Sequence, residues 1–427
     1  MKKLLNINIE NYTYLNMECT LYAKMYSLYL FNYFMKNNYM NTIEDFNTYI
    51  AGIENSNGYK KPLAFGLGIR RSKEEKTLDV NFPKINWNSS FGTAALLQDI
   101  VGFRGGENGF VSVSKTQLQK AYDNFKAFHD EIEKHDNIVL VKQLLDSIDS
   151  PKNIYQQIDV VAYFLFDKDQ AVTDAVEGYF KLQCLSQLHV LPHGLALDGV
   201  FGKLNNIAWT NHGPILPEDI SAERIKATFK GQNIIVSHVD KFPYMVNYHV
   251  PNGVRIASGS QVRLGAHCAV GTTVMPAGYV NFNAGTKGNA MIEGRVSAGV
   301  IVGHDSDLGG GVSIMGTLSG GNKNVISIGD KCLLGANAGT GISLGFGCTI
   351  AAGVYVTAAA KVWLYNKNRQ AVDINGNIVE EGQNIVKGAE LNGKEKLLFL
   401  LNSTNGHLEC RPNPKTIELN EDLHVKN

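Results

Sequence analysis

Apolar residues return every six positions across residues 256–362, with glycine crowded between them. Leu264-Gly265, Val270-Gly271, Pro276 and Phe282 fall six apart; so do Val302-Gly303, Leu308-Gly309 and Ile314, then Ile328-Gly329 and Leu334-Gly335. Leu344-Gly345, Ile350, Val356 and Val362 close the series. A period of six matches neither the helical period of about 3.6 nor the strand period of about 2. It predicts a hexapeptide parallel β-helix, in which each hexad gives one short strand and a turn and three hexads give a triangular coil. The leading aliphatic residue of each hexad is expected to point inward, and the small residue after it lets the chain round the corner without a Cβ clash. The expected winding is left-handed, against the usual rule for parallel crossovers. The period slips between Phe282 and Val302, around residues 289–297, and again at residues 316–324. Loops thrown out of a rigid solenoid are where sites are usually built, so both slips mark candidate sites.

The remaining pattern divides the chain into four parts. Residues 1–39 form an N-terminal extension of unassigned role, rich in Tyr, Leu and Phe between positions 21 and 35. Its apolar run is broken by Lys24 and is too short to span a bilayer, so a packing helix is expected there. Met40 is a second candidate start, with Thr42 placed to cap a helix and Asp45 in its first turn. Residues 40–245 read as an α/β domain. Residues 118–148 and 169–185 carry helical periodicity, while residues 160–166 and 234–236 read as strands. Residues 250–365 form the β-helix and hold 23 of the 43 glycines with few charges, a shift that sets the domain boundary. Residues 366–427 lose the period: 373–378 reads as a hairpin and 397–401 as a strand, together a C-terminal β extension that caps the coils. The fold class is therefore mainly β.

Composition narrows the function. Lys+Arg and Asp+Glu stand at 40 each, so no overall basic field points to nucleic acid or an anionic membrane. The six cysteines are scattered without a CxxC pair or metal-ligand spacing, and three of them fall in the repeats as expected buried thiols. A cytoplasmic location fits.

Within the repeats, Glu293 is one of few charges and is followed by Gly294 and Arg295. A carboxylate there could take a proton from an attacking amine or itself attack a thioester; a solvent-facing or Arg-paired carboxylate is the structural alternative. Gly309-Gly310-Gly311 offers bare amides to an anion or a thioester oxygen. Only His267 and His304 lie in the repeats, short of the three histidines of a catalytic zinc site, and His267 reads as a surface or corner residue. Lys361, Lys387, Lys394 and Lys396 cluster after the last coils and could meet phosphates. Arg255, Arg263 and Arg295 are the scarce cations available for carboxylates.

Several long motifs then carry a resemblance. They are Val262-Arg-Leu-Gly-Ala-His267, Gly271-Thr-Thr-Val-Met275, Tyr279-Val-Asn-Phe-Asn-Ala-Gly-Thr286, Met291-Ile-Glu-Gly-Arg-Val-Ser297, Gly309-Gly-Gly-Val-Ser-Ile-Met-Gly-Thr-Leu-Ser-Gly320 and Cys332-Leu-Leu-Gly-Ala-Asn-Ala-Gly339. In this order they resemble the tetrahydrodipicolinate N-succinyltransferases, in the longer-chain branch of that family. The likeness is dense over residues 240–362, continues at Val386-Lys387-Gly-Ala-Glu-Leu391, and is thinner upstream at Gly58-Tyr-Lys-Lys-Pro-Leu-Ala-Phe-Gly66 and Ile85-Asn-Trp-Asn-Ser-Ser-Phe-Gly-Thr-Ala94. It does not reach residues 1–39.

The resemblance implies a cytoplasmic homotrimer with sites between neighbouring solenoids. It implies transfer of succinyl from succinyl-CoA, a co-substrate, to the amine of the ring-opened acceptor in diaminopimelate and lysine synthesis, with no tightly bound cofactor. Glu293 matches the family's catalytic glutamate, described as forming an acyl-anhydride. Arg295, Gly310, Ser313, Ala336 and Lys387 match succinyl-CoA contacts, as do Ala352, Asn402 and Ser403, whereas Leu400 and Leu401 replace more polar or basic residues. Some relatives hold magnesium through acidic residues near the trimer axis; here Ser260 and Ala277 stand at those places, so no metal ligand is assigned. Nucleic acid and membrane are not among the implied partners. Two other readings stand beside this one: an acetyltransferase of the same repeat type acting on another amine, and a non-catalytic trimeric scaffold.

Overall fold

The computed structural model describes residues 40–150, 155–318 and 324–414, so the expectations for residues 1–39 lie outside the described residues. The chain forms two compact units divided at Lys168/Asp169, well ahead of the compositional boundary at 245–250.

In the first unit, Thr42 caps helix α1 (Ile43–Glu54) through a reciprocal pair in which each of Thr42 and Asp45 accepts the other's N–H at 3.1 Å. Strands β1 (Ala64–Lys73), β2 (Lys76–Trp87), β3 (Gly109–Val113) and β4 (Gln157–Leu165) form one sheet in the order β2-β1-β4-β3. All its pairings are antiparallel, and the expected strand at 160–166 is its central β4. Helices α2 (Phe91–Val101), α3 (Lys115–Asn124) and α4 (Asp136–Ser147) join α1 over a core of Phe46, Ile50, Phe65, Leu97, Leu118, Val141 and Phe164. The single helix expected over 118–148 is broken: a 3₁₀ stretch, Lys126–Lys134, with Glu131 at non-helical φ −129°, separates α3 from α4. Phe125 and Phe128 both pack against Phe46, with ring centroids 5.9 and 5.1 Å away.

The second unit opens with helix α5 (Ala175–Ser186), capped by Asp174, whose carboxylate accepts the Glu177 N–H. Every one of its twelve residues is buried. A three-stranded sheet follows, its middle strand Ile207–Thr210 flanked by Gly213–Ile215 and Val236–Asp240. The strand expected at 234–236 is thus displaced to begin at Val236.

The repeats wind as expected through three parallel sheets. Successive strands visit a first face (Thr272–Val274, Ala290–Ile292, Ser306–Leu308, Leu333–Leu334, Thr349–Ile350) and a second (Tyr279–Val280, Arg295–Val296, Ser313–Ile314, Gly339–Thr340, Tyr355–Val356). The third face holds His267–Cys268, Gly285–Thr286, Ile301–Val302 and Ser327–Ile328. All these pairings are parallel and in register. The inward residues form one aliphatic column, including Val262, Val274, Val280, Ile292, Val296, Val302, Leu308, Ile314, Ile328, Leu334, Ile350, Val356 and Val362, with Cys268, Cys332 and Cys348 buried in it as free thiols.

From Val302 onward this is the expected set. In the first coils the inward positions are instead Val262, Cys268, Val274 and Val280, two residues ahead of the Leu264 series. Val270 is 62% exposed and Pro276 faces solvent. Leu264 and Phe282 are buried, but from outside the coil: Gly265 donates to Ser186 at the end of α5, and Phe282 stacks on Phe242 at 4.4 Å. Periodicity cannot separate an inward aliphatic from an outward one that another segment covers. The same covering corrects His267, which is 6% exposed rather than at the surface. Its Nδ1 meets the Val190 carbonyl at 2.9 Å, and burial lowers its pKa.

Beyond the repeats, Leu397–Leu401 stacks in parallel on Thr349–Ile350 and pairs antiparallel with Leu408–Pro412, closing the open end of the column. The 373–378 turn is formed, with Val372 bridged to Ile378 and the Asp373 carboxylate accepting the Asn375 and Asn377 N–H groups.

Candidate active site

The inward residues of the coil fall six apart from Val274 through Val280 and Thr286 to Ile292, and then only four apart from Ile292 to Val296. The slip at residues 289–297 is therefore not an extruded loop but a shortened corner between the first and second faces. Glu293 sits at that corner. Gly294 makes the shortcut possible, because a Cβ there would stand 2.5 Å from the Val312 side chain and 2.6 Å from its carbonyl oxygen. The coils on either side keep full-length corners, Met275-Pro276-Ala277 and Gly309-Gly310-Gly311, so the short one leaves a notch between them. At the second slip the Leu318 N–H donates to the Asn324 carbonyl at 2.8 Å.

The same corner repeats down the solenoid, and the backbone ties it into a line. Gly311 donates to the Glu293 carbonyl at 3.1 Å, Asn337 to Gly310 at 2.8 Å, and Gly353 to Ala336 at 2.9 Å. Glu293, Gly310, Ala336 and Ala352 thus stand on successive coils along one edge, about 4.8 Å apart per coil. The next layer is Leu397–Leu401, whose Phe399 carbonyl accepts the Ala351 N–H at 2.9 Å, followed by the Asn402–Ser403 turn. The Glu293 carboxylate lies over Gly310, its Oε2 3.7 Å from where a Cβ would be. Among the described residues no hydrogen bond or ion pair engages it.

On the second face, Arg295 and Ser313 are register partners, and the guanidinium Nη2 donates to the serine Oγ at 2.5 Å. Of the three arginines, Arg295 is the one beside Glu293. Arg263 is paired with Asp240 and reaches Asn281 at 3.3 Å, and Arg255 lies on the first face opposite Thr273. The four lysines divide: Lys361 and Lys387 are antiparallel neighbours, whereas Lys394 and Lys396 stack on residues 345–347 at a different corner. Asn402 shapes its own turn, its carboxamide accepting the Thr404 N–H and donating to Glu409 at 2.7 Å, while Ser403 is exposed on the same turn. Ser260 bonds Ser258 and Ala277 is exposed. Among the described residues no group of three or more His, Cys, Asp or Glu side chains converges as a metal site.

Sequence reasoning overlooked Tyr355, which reaches back along the second face to within 3.5 Å of the Ser313 hydroxyl. A position 42 residues away leaves no local signal; counting hexads in register would have placed both residues on one outward row. Two clefts lie elsewhere, one of about 390 Å³ beside α2 in the first unit and one of about 640 Å³ lined by His193, Asp198, Phe201 and Asn283 in the second.

Comparison with known proteins gives a consistent result. The family models described as "Tetrahydrodipicolinate N-succinyltransferase N-terminal" and "middle" match residues 44–202 and 204–244, and "Hexapeptide repeat of succinyl-transferase" matches 325–358. The chain is 44% identical over 366 residues to a 2,3,4,5-tetrahydropyridine-2,6-dicarboxylate N-succinyltransferase of Vibrio cholerae, covering 85% of this chain and 99% of that protein. It is 42% identical to the protein of the same name from Pseudomonas putida, covering 86% and 98%. A Campylobacter jejuni crystal structure described as a 2,3,4,5-tetrahydropyridine-2-carboxylate N-succinyltransferase superposes with a TM-score of 0.79 at 36% identity, over 88% of this chain and 99% of that one.

Proposed function

We propose, from the premise that this chain belongs to the tetrahydrodipicolinate N-succinyltransferase family, that it transfers succinyl from succinyl-CoA to the amine of ring-opened tetrahydrodipicolinate. This reaction serves diaminopimelate and lysine synthesis. The observation that carries the reading is the line of Glu293, Gly310, Ala336 and Ala352 along one corner, with Arg295 and Ser313 beside its head. An extended thioester laid along that edge would meet backbone at the small residues and set its acyl end in the Glu293 notch. Lys387, Asn402 and Ser403 sit toward the far end, where a nucleotide-bearing tail would reach.

Glu293 is the catalytic carboxylate. The acceptor nitrogen attacks the thioester carbon, the C–S bond breaks, and the amine proton passes to Glu293 and on to the departing thiolate. In the alternative order Glu293 attacks first and the amine opens the resulting anhydride; a burst of free thiol ahead of product formation distinguishes the two. Arg295 supplies the fixed cation for the distal carboxylate of the succinyl group.

The solenoid is a left-handed coil, the enzyme is cytoplasmic, and it works as a homotrimer with each site completed by a neighbouring solenoid. The exposed apolar side chains Phe229, Ile235, Val250 and Val270 of the second unit support association, since such surface on a lone chain favours partners. The test is release of free thiol from a panel of acyl-CoAs in the presence of the dicarboxylate amine. Succinyl-CoA should be preferred; release from acetyl-CoA alone would indicate an acetyltransferase, and release from none a scaffold.

A further inference from the structure

The outward residues of the second face run in register from Arg295 to Ser313, Gly339 and Tyr355. The backbone of Tyr355 stands two coils beyond Ser313, about 10 Å away at the usual strand spacing. Its hydroxyl nevertheless lies 3.5 Å from the Ser313 Oγ. The phenol covers that distance by lying back over Gly339, where a Cβ would be 2.1 Å from the Tyr355 ring. No side chain other than glycine's leaves room for it.

The resulting cluster is built of donors. The Arg295 guanidinium donates to the Ser313 oxygen at 2.5 Å, which turns the serine's own proton away from the arginine. Two hydroxyls 3.5 Å apart are too far for a strong mutual hydrogen bond, but both reach an oxygen placed between them at about 2.7 Å from each. The serine hydroxyl and the phenol can both donate to that oxygen, with the guanidinium's charge beside the serine, so the group that fits is an anionic acceptor. A carboxylate fits best, because hydrogen bonds to a charged acceptor are the stronger class.

We infer that Tyr355, seated by Gly339, is a specificity residue that joins Arg295 and Ser313 in gripping the distal carboxylate of the acyl donor. The inference rests on reading the Glu293 corner as the acyl-donor site. An acetyl donor has no group to place there, so the tyrosine distinguishes the two donors without contributing to binding of their common CoA portion.

The test measures dissociation constants of succinyl-CoA and acetyl-CoA for the full chain and its variants. Tyr355→Phe keeps the ring over Gly339 and removes only the hydroxyl. It should weaken succinyl-CoA about tenfold, the scale of one hydrogen bond to a charged group, and leave acetyl-CoA unchanged. Gly339→Ala should displace the ring and reproduce that selective loss, with no further selective loss when combined with Tyr355→Phe. Equal weakening of both donors by Tyr355→Phe, or of neither, overturns the inference. Selective loss in Arg295→Ala without one in Tyr355→Phe overturns it alone and leaves the donor reading standing. If the unmodified protein holds succinyl-CoA no more tightly than acetyl-CoA, both readings fall together.

Discussion

The second unit contains two carboxylate–cation neighbourhoods that the same residue types use in opposite ways. In helix α5, Glu177 and Lys181 sit one turn apart, both fully buried and 3.0 Å from each other. Both charges are further bonded: Glu177 also accepts from the Thr173 N–H at 2.9 Å and hydroxyl at 2.8 Å, and Lys181 donates to the Gln170 carbonyl at 2.5 Å. At the shortened corner, Arg295 is committed to Ser313 rather than to Glu293, and no described residue bonds the glutamate's carboxylate. Charge removed from water must be fully paired to be tolerated, whereas a carboxylate meant to accept a proton or attack carbon must stay unpaired until substrate arrives. The difference separates a charge that holds the fold from one left free for the chemistry proposed at Glu293.

The sharpest way to break the comparison is to open the buried pair. Lys181→Met should cost about 3–5 kcal/mol of stability by leaving Glu177 buried with fewer partners. A urea midpoint measures it, and adding Glu177→Leu should recover part of the loss. The same pair predicts an acid limit. Burial raises the Glu177 pKa, but the Thr173 N–H, the Lys181 and Thr173 side-chain hydrogen bonds and the lysine's charge outweigh it and hold the group below the ordinary carboxylate value. A depressed acid lends stability that is complete above its unfolded pKa, so this contribution should fade as pH falls below about 4 and be lost beneath the folded pKa. A variant in which both charges are replaced should show a flatter acid limb.

At the corner the effects should move to turnover. Glu293→Gln keeps size and most hydrogen bonding, so kcat should fall by roughly 10²-fold or more while the melting temperature stays within a degree or so. A glutamine variant with near-normal kcat would demote Glu293 to a positioning role. Arg295→Ala should cut succinyl-CoA use by at least ~10-fold, and acetyl-CoA use less, the scale of one lost charged hydrogen bond. Equal losses with both donors would assign Arg295 to the fold or to CoA in general. The smallest expected change is from removing residues 1–39, which lie outside the family match beginning at residue 44. Turnover and the oligomeric state measured by sedimentation should both persist, and loss of either would give that segment a structural part.

Much of this was legible in the chain. A six-residue period admits one kind of backbone path, so the coil, its aliphatic column from Val302 onward and the closing strand at 397–401 could be read directly. The Thr42 cap could be read too, because capping is settled within three residues. The motifs around Glu293 and Gly310 pointed to the chemistry without any coordinates. Phase in the first coils could not be read, since Leu264 and Phe282 are buried by α5 and Phe242 from outside, and periodicity records burial without saying from which side. Nor could the break between α3 and α4, because no proline or glycine interrupts residues 126–134, where the 3₁₀ stretch falls. The sequence by itself determined the repeat, the column from Val302 onward and the residues proposed for reaction. Only the tertiary structure decided that Glu293 stands in a notch, that Arg263 is already paired, and that Tyr355 reaches Ser313 across Gly339. Those facts depend on which coils stack on which, and stacking brings together residues that are tens of positions apart.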